Sequence, residues 1–257
     1  MYDCSVDAQA RRSRLIATMR RDGRVEVRTA AEQLDATEMT IRRDLDLLVE
    51  QGVARRVRGG AVNLLMRGEE LPFALRELDG TEAKRRIAVA AGELIRDGEA
   101  VVVDSGTTGL AVARVLAGRR LTVMPLSLPA ATLMSGSGEV TLVLPGGTVR
   151  RGEGSLVGPM TESALGSLRF DTAVLTCCGL SPADGVTAHD LQDAAVKRAA
   201  MAAATRTVLV ADSGKLARTA LAVVCPADRV DVLVTDRDAP EGAVEALVAQ
   251  GVEVHRV

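Results

Sequence analysis

The spacing of hydrophobic residues changes along the chain and divides it into two regions. The first 62 residues carry apolar side chains at the three- and four-residue intervals of surface helices, whereas short continuous apolar runs alternate with helical stretches after residue 79. Between the two regions the pattern is lost around Gly68 and Pro72. We therefore predict a small helical domain at 8–62, a linker at 63–78 and a larger α/β domain at 79–257.

The stretch 37–51 has the pattern of an amphipathic helix. Ile41, Leu45 and Leu48 fall on one side of it, and the hydroxyl of its first residue, a threonine, is suited to cap the first turn. A shorter helix precedes it, and the tight turn between the two contains Asp35, a residue type that tolerates the left-handed backbone conformation. Two helices joined in this way are typical of the DNA-binding motif whose second helix enters the major groove.

Basic residues follow this helix in a segment that has the pattern of a β-hairpin. Segment 53–61 alternates apolar and basic side chains and contains a Gly-Gly pair, and segment 25–27 has the pattern of a strand that could pair with it. These elements predict a winged helix-turn-helix, in which arginines of the wing reach DNA phosphates. The alternative is a surface helix hairpin whose arginines are only solvated. The candidate DNA contacts are Thr37, Glu38, Met39, Thr40, Arg42, Arg43, Arg55, Arg56 and Arg58.

Segment 40–45, which reads Thr-Ile-Arg-Arg-Asp-Leu, resembles the signature of the DeoR-type family of bacterial repressors. Arg56 and segment 59–61 also match that signature, while its turn glycine is Asp35 here and its wing histidine is Arg58. The resemblance implies binding to double-stranded operator DNA. Because one winged helix covers little DNA, we expect a homo-oligomer, a dimer or a tetramer, that reads two half-sites.

The second region has strands at intervals along the chain. The first of them, Ala100–Val103, is a continuous apolar run typical of a strand that is buried on both faces. Because helical stretches lie between most of the predicted strands, we expect a largely parallel sheet covered by helices. The other predicted strands are 121–124, 140–144, 172–176, 207–211, 230–234 and 252–255.

Segment 104–108, Asp-Ser-Gly-Thr-Thr, follows the first strand and opens a helix. Ligands in open α/β sheets collect at the carboxyl ends of strands, and a helix start presents free N–H groups and the positive end of its dipole to an anion. Gly106 allows close backbone approach, and Ser105, Thr107 and Thr108 offer hydroxyls. The segment has neither a Walker lysine nor a Gly-x-Gly-x-x-Gly pattern, so we expect a small phosphate ester rather than a nucleotide. The same sequence is also a common helix cap.

Polar residues and glycines follow other predicted strands. We expect Lys215 to hold phosphate oxygens, and Asp104 or Asp190 to accept hydrogen bonds from sugar hydroxyls. Each lysine could instead be a solvated surface cation. The candidate effector-binding residues are Asp104, Ser105, Gly106, Thr107, Thr108, Gly146, Gly147, Gly179, Asp190, Lys197, Asp212 and Lys215.

This arrangement resembles the C-terminal sensor domain of the same DeoR-type family, which is similar in fold to ribose-5-phosphate isomerase and the coenzyme A transferases. The resemblance implies that a phosphorylated sugar or a related phosphate ester is the effector, with its phosphate bound by segment 104–108 and Lys215. Where the family has Thr-Asn after its second strand, this chain has Pro125-Leu126. This departure predicts a less polar phosphorylated effector.

Composition adds constraints on partners and location. The formal net charge is −2, but arginines are concentrated in the first quarter of the chain, and the local patch decides DNA binding. The cysteines, Cys4, Cys177, Cys178 and Cys225, lack the spacing of a zinc site and are expected to be free thiols in a reducing cytoplasm. No apolar segment approaches membrane-spanning length, and the sequence indicates no metal and no cofactor.

The favoured function is a transcriptional repressor of a carbohydrate-metabolism operon that a phosphorylated sugar relieves, and not an enzyme. The alternative is a sugar-phosphate isomerase with an appended DNA-binding domain, because Asp104 or Asp190 could act as a base, although no motif marks a catalytic residue. A DNA-packaging protein without a ligand is a third possibility, which the large second domain disfavours.

Overall fold

The structure is a computed structural model that describes residues 4–63, 72–216 and 218–257. Contacts between residues divide the chain into two units, Met1–Asp79 and Gly80–Val257. The first contains the region predicted to bind DNA, and the second contains the region predicted to bind an effector.

The described part of the first unit combines helices with a small antiparallel sheet. Its elements are α1 (Cys4–Asp22), β1 (Arg24–Glu26), α2 (Val27–Gln33), α3 (Glu38–Glu50), β2 (Ala54–Val57), β3 (Gly60–Asn63) and α4 (Phe73–Leu78). The strands lie in the order β1-β3-β2. The predicted winged helix-turn-helix is therefore confirmed in its order of elements.

The boundaries of α3 follow from local chemistry. The Thr40 N–H donates a hydrogen bond to Thr37 Oγ1 over 3.2 Å, so Thr37 caps the first turn as expected. Asp35, in the preceding turn, has a φ of +46°, and Gly52, just after the helix, has a φ of +72°. Because few residue types adopt such values at low cost, the local sequence determines where α3 begins and ends.

The wing is a hairpin of β2 and β3 with a two-residue turn, Arg58-Gly59. Its third strand is β1, which pairs antiparallel with β3 as predicted. The two strands approach so closely that a Cβ on Gly60 would lie 1.9 Å from the Val25 carbonyl oxygen. Glycine at position 60 therefore allows the sheet to close.

One apolar core joins the elements of this unit. Ile41, Leu45 and Leu48 are fully buried in it, which confirms the predicted stripe. Leu75 of α4 packs against the same core. The prediction of a linker at 63–78 is thus wrong for α4, because six residues are too few to show a helical period; residues 64–71 lie outside the described residues.

The second unit alternates strands and helices. Its elements are α5 (Thr81–Glu93), β4 (Ala100–Val103), α6 (Gly106–Leu116), β5 (Thr122–Pro125), α7 (Leu128–Ser135), β6 (Thr141–Leu142), β7 (Thr148–Val149), β8 (Leu156–Val157), α8 (Pro159–Gly166), β9 (Phe170–Leu175), β10 (Gly179–Ser181), β11 (Gly185–Ala188), α9 (Leu191–Ala203), β12 (Ala204–Val210), β13 (Ala222–Cys225), β14 (Val232–Thr235), α10 (Glu241–Ala249) and β15 (Glu253–Arg256).

Seven of these strands form one parallel sheet in the order β15-β14-β12-β9-β4-β5-β6. They are the strands that the sequence predicted, with boundaries shifted by a few residues, and they confirm the α/β class. The chain runs from β4 outward to β6, returns to β9 on the other side of β4, and then runs outward to β15. The strand order therefore reverses between β4 and β9, the position where ligands bind in such sheets.

Two smaller antiparallel sheets were not predicted. β7 pairs with β8, and β10, β11 and β13 form a three-stranded sheet. Strands of two to four residues show too little alternation to be recognised in a sequence. These strands lie in the connections after β6, β9 and β12, so segments that we expected to be loops are partly ordered structure.

Helices cover the main sheet. α5 packs against α6, β12 and β14, whereas α9 packs against α8, β9 and β12. Among the helices of the described ranges, none is long and apolar enough to cross a membrane. The same ranges contain no cluster of histidine, cysteine and acidic side chains that could hold a metal ion.

Candidate DNA-reading surface and effector site

The exposed face of α3 carries the residues predicted to read DNA. Met39 is 58% exposed, and Arg43 is also exposed. Arg42 Nη2 donates to Glu38 Oε2 over 2.8 Å, and both side chains are about half exposed. Because an exposed i,i+4 pair contributes only about 0.3–0.5 kcal/mol, Arg42 can exchange Glu38 for a base or a phosphate at small cost.

Arg56 differs from the other arginines of the wing. Its Nε donates to Asp46 Oδ1 over 2.8 Å, and its Nη2 donates to the Arg42 carbonyl oxygen over 2.5 Å. Arg56 thus ties β2 to α3, whereas Arg55 and Arg58 are exposed. Phosphate contact stays a prediction for all three, and only Arg56 has a clear internal role.

An ion pair on the buried side of α3, which was not predicted, joins this helix to α1. Asp44 is 8% exposed, and its carboxylate accepts a hydrogen bond from Arg11 Nε of α1 at 2.5 Å. The sequence did contain a signal, because Asp44 lies three residues after Ile41 and therefore falls on the apolar stripe. An acidic residue at such a position indicates a buried partner.

At the carboxyl end of β4, Asp104 is 1% exposed, and its carboxylate is occupied within the protein. Its Oδ1 accepts from the Ser105 N–H at 2.8 Å. Its Oδ2 accepts from the Thr176 N–H and hydroxyl at 2.8 and 2.9 Å, and also from the Lys197 ammonium. Because four donors within the protein already surround this carboxylate, Asp104 has a structural role, and its contact with a sugar hydroxyl stays a prediction.

Segment 105–108 forms the start of α6. Gly106 has a φ of +88°, which favours glycine, and Ser105 makes no side-chain hydrogen bond to cap the helix. The first N–H groups of α6 are therefore not satisfied by a cap, as at known anion sites. Ser105, Thr107 and Thr108 are buried, and they lie beside the reversal of strand order between β4 and β9.

Lys197 of α9 is 2% exposed, so the alternative that it is a solvated surface cation is wrong. Its Nζ pairs with Asp104 and lies 3.3 Å from Asp193 Oδ2. Burial alone would lower the pKa of Lys197, but the charges of Asp104 and Asp193 outweigh it and hold that pKa above its ordinary value. Burial raises the pKa of Asp193, although Lys197 opposes the rise. Lys197 is therefore a charged residue that is neutralised inside the protein.

Asp190 caps α9. Its Oδ1 accepts from the N–H groups of Gln192 and Asp193, both at 2.9 Å, and its Oδ2 lies 3.6 Å from Arg150 Nε. Arg150 directly follows β7 and was not among the predicted site residues. With one oxygen engaged in the cap and the other beside an arginine, Asp190 has a structural role, and its contact with a sugar hydroxyl stays a prediction.

Segment 212–215 follows β12 at the same edge of the sheet. Its Ser213 N–H donates to Asp236 Oδ2 over 2.6 Å, so Asp236 holds the segment in place. Asp236 was not predicted, although its position directly after a buried strand was a usable signal. Burial raises the pKa of Cys177, at the end of β9, to about 12, and Lys215 is close enough to oppose the rise. Asp212 and Lys215 therefore lie near Cys177, which follows β9.

The predicted glycines outside segment 105–108 have packing reasons. Gly146 and Gly147 have φ values of +71° and +107°, and a Cβ on Gly147 would lie 2.0 Å from Thr161 Oγ1. A Cβ on Gly179 would lie 2.4 Å from the Arg218 carbonyl oxygen. Contact of these glycines with an effector stays a prediction.

The departure at Pro125-Leu126 lies at the end of β5. Leu126 is fully buried and belongs to the main hydrophobic core, and its N–H donates to the Val103 carbonyl oxygen over 2.8 Å. An apolar side chain therefore packs where the family pattern places a polar one.

Comparison with known proteins identifies the class. Residues 11–64 match the DeoR-like helix-turn-helix domain, and residues 79–237 match the DeoR C terminal sensor domain. The chain belongs to the DeoR-type family of transcriptional regulators, and the resemblance inferred from the sequence is confirmed. It is a DNA-binding regulator and not an enzyme.

Similar proteins cover almost the whole chain. A putative aga operon transcriptional repressor from Escherichia coli is 31% identical over 95% of this chain and 92% of its own length. The HTH-type transcriptional regulator GlpR from Haloferax volcanii is 32% identical over 91% of each chain, and a glycerol-3-phosphate regulon repressor from Haemophilus influenzae is 30% identical over 93% of each. Among solved structures, ribose 5-phosphate isomerase A from Methanocaldococcus jannaschii is 17% identical, with a TM-score of 0.41 over 54% of this chain and 55% of that one.

Proposed function

We propose that this chain represses a carbohydrate-metabolism operon and that a phosphorylated sugar or a related phosphate ester releases it from operator DNA. The names of its relatives support both parts of the proposal. The observation that carries the effector part is the start of α6, which has no side-chain cap and lies beside the reversal of strand order. A phosphate monoester there would receive hydrogen bonds from free N–H groups at the positive end of the helix dipole.

The phosphate would be held from two sides. Segment 105–108 follows β4 and Lys215 follows β12, so one ligand would join two loops of the sheet. A ligand changes DNA affinity only by the difference between its affinities for the DNA-competent and incompetent states. A coupling of about 1–3 kcal/mol would weaken operator binding roughly 5–150-fold.

The isomerase alternative is not favoured. A general base must lie within hydrogen-bond reach of the substrate. Asp104 is buried among four donors and Asp190 caps α9, so neither carboxylate is placed for that role. The relatives are also named as regulators. A DNA-packaging protein is disfavoured because the sensor-domain match covers most of the second unit.

A thermal-shift screen tests the effector. The panel contains glycerol 3-phosphate, because one relative is named for it, together with sugar and deoxysugar phosphates, and each compound is paired with its dephosphorylated form. The deoxy compounds are included because the buried Leu126 favours a less polar effector. We expect one phosphorylated compound to raise Tm with concentration and to weaken operator binding in a gel shift. A panel in which no phosphorylated compound shifts Tm more than its partner would contradict the proposal.

Lys215→Ala, with Arg169→Ala as its control, tests the site. Both changes remove one cation, but Arg169 directly precedes β9 and therefore lies at the amino edge of the sheet. We expect Lys215→Ala to abolish the shift in Tm and Arg169→Ala to preserve it. An equal response in the two variants would place the phosphate elsewhere.

Binding to two operator half-sites requires two winged helices, and we therefore propose that the chain forms a dimer or a tetramer. Sedimentation of the full chain, with and without operator DNA, is expected to show this assembly. A monomer with full operator affinity would contradict it. Because such a regulator acts on DNA, the proposal also supports the cytoplasmic location expected from the cysteines.

A further inference from the structure

We infer that Lys197 is a positioning residue for segment 105–108 and not a ligand of the effector. The inference rests on the proposed function, because it concerns what keeps the proposed phosphate site in shape. It reassigns a residue that the sequence placed among the effector contacts.

The first reason is that acceptors within the protein surround the Lys197 ammonium. An ammonium has three N–H donors. Three acceptors surround this one: Asp104 Oδ2, Asp193 Oδ2 at 3.3 Å and Thr176 Oγ1 at 3.4 Å. An effector phosphate could bind Lys197 only by replacing one of these partners.

The second reason is the balance of charge around it. Two carboxylates, Asp104 and Asp193, face the single ammonium of Lys197, and all three groups are buried. If Lys197 moved toward an effector, both carboxylates would remain in the interior without a cation. Removing one partner of a buried pair is strongly destabilising, so the protein itself holds Lys197 in place.

Lys197 acts on the proposed effector site through its contact with Asp104. Asp104 Oδ2 accepts from Lys197 and from Thr176 at the end of β9, while its Oδ1 accepts from the Ser105 N–H at 2.8 Å. Thr176 Oγ1 also lies 3.0 Å from the Ser105 carbonyl oxygen. Lys197 thus orients a carboxylate that joins the ends of β4 and β9 and sets the backbone of Ser105, where segment 105–108 begins.

Asp193 provides a matched comparison. It is buried like Asp104 and pairs with the same ammonium, but it lies one turn before Lys197 on α9. Within the described residues, no hydrogen bond joins its carboxylate to segment 105–108. Replacing either acid with asparagine removes the same charge from the same cluster, but only Asp104 contacts the segment.

The experiment compares Asp104→Asn with Asp193→Asn in the full chain. The midpoint of the thermal shift is measured with glycerol 3-phosphate and with inorganic phosphate, and amide hydrogen exchange of segment 105–108 is measured without any ligand. We expect Asp104→Asn to raise the ligand concentration at half-maximal thermal shift about tenfold or more and to speed amide exchange. The reason is that outer hydrogen bonds that orient a binding group contribute about 10–100-fold to affinity at metal sites. Asp193→Asn should stay close to wild type in both measurements.

Two results would overturn the inference. A lower half-maximal ligand concentration in Asp104→Asn would mean that a released Lys197 binds the phosphate. Equal changes in ligand concentration and amide exchange in the two variants would mean that only the charge balance matters. If wild type responds to neither probe, the proposed function loses support, while the exchange comparison still decides the role of Lys197. If Asp104→Asn does not fold, Thr176→Val keeps every charge and should change exchange and midpoint in the same direction; an unchanged Thr176→Val would then count against the inference.

Discussion

The ion pair on the predicted DNA-reading surface of the first unit and the ion cluster around Lys197 in the second unit differ in burial. In the first, Arg42 and Glu38 pair on the surface with about half of each side chain exposed, whereas in the second Lys197 and its two carboxylates are buried. An exposed pair contributes about 0–1 kcal/mol and can change partners, but removing the cation of a buried cluster leaves its carboxylates uncompensated at a large cost. The difference teaches that the candidate DNA-reading arginine has only a weak contact within the protein, whereas Lys197 has strong ones.

The same distinction holds inside the first unit. Asp44 is buried and holds Arg11, so it supports α3 from the core side. Arg43 and Arg55 are exposed on the surfaces predicted to face DNA. Burial, more than residue type, therefore separates the two roles.

The largest effect is expected from removing the buried cation. Lys197→Met leaves Asp104 and Asp193 in the interior without a cation and should cost about 3–5 kcal/mol of unfolding free energy. Its control, Arg42→Met, removes an exposed cation and should change stability by about 0.5 kcal/mol or less. Urea unfolding followed by circular dichroism measures both, and equal costs would break the comparison between the units.

A smaller effect, in DNA affinity and not in stability, is expected at the reading surface. Arg42→Ala should weaken operator binding by about 1–3 kcal/mol and relax the preference at one base pair, if Arg42 reads a guanine edge. Arg55→Ala should weaken all sequences alike and reduce the salt slope by about 1, because it would lose a phosphate contact. Gel shifts with operator and scrambled DNA at two salt concentrations separate these outcomes, and unchanged affinity in both variants would contradict the assignment.

Arg56 is expected to hold the wing against α3 and to contribute modestly to stability. Arg56→Ala removes both contacts that tie β2 to α3, whereas Asp46→Ala removes only the contact with Asp46, and each should lower stability by about 0.2–1 kcal/mol. Both should also weaken operator binding, because the wing loses its fixed position. If Asp46→Ala instead strengthens binding while Arg56→Ala weakens it, Arg56 acts mainly through DNA phosphates.

The smallest effect concerns pH. Because burial raises the pKa of Asp193 in the folded state above its ordinary value of 3.8, the folded state binds this proton more tightly than the unfolded state. Stability from this group is therefore greatest at acid pH and falls as pH rises through the raised pKa. Asp193→Asn should melt at a higher temperature than wild type at neutral pH, and the difference should shrink near pH 4. A difference that grows on acidification would show that the pKa is lowered instead.

Much of the fold was predictable because its signals are local. The cap of α3 by Thr37 and the left-handed turn at Asp35 depend on residues a few positions apart. The apolar runs of the seven sheet strands were also visible, since strands buried on both faces are continuously apolar. The strands β7, β8 and β10 were missed because they are too short to show a period, and α4 was missed for the same reason.

The candidate site was predictable only in part. The sequence placed segment 104–108 and segment 212–215 at strand ends, and the parallel sheet brings these ends to one edge. It did not show that Asp104 faces inward, that Asp236 holds the second segment, or that Arg150 lies beside Asp190. Side-chain direction at a strand end depends on what packs there from other elements, and no local pattern records it.

By itself, the sequence determined the family, the elements of the winged helix-turn-helix, the seven strands of the main sheet and the candidate residues for DNA and phosphate. These follow from periodicity, caps and strand ends, which involve neighbours in the chain. Only the tertiary structure decided that Lys197 is engaged inside the protein, because it meets Asp104 across 93 positions of sequence. That contact exists because β4 and β9 are adjacent in the sheet and α9 packs on β9. Burial then converts a charge that could have served a ligand into one that the interior cannot release.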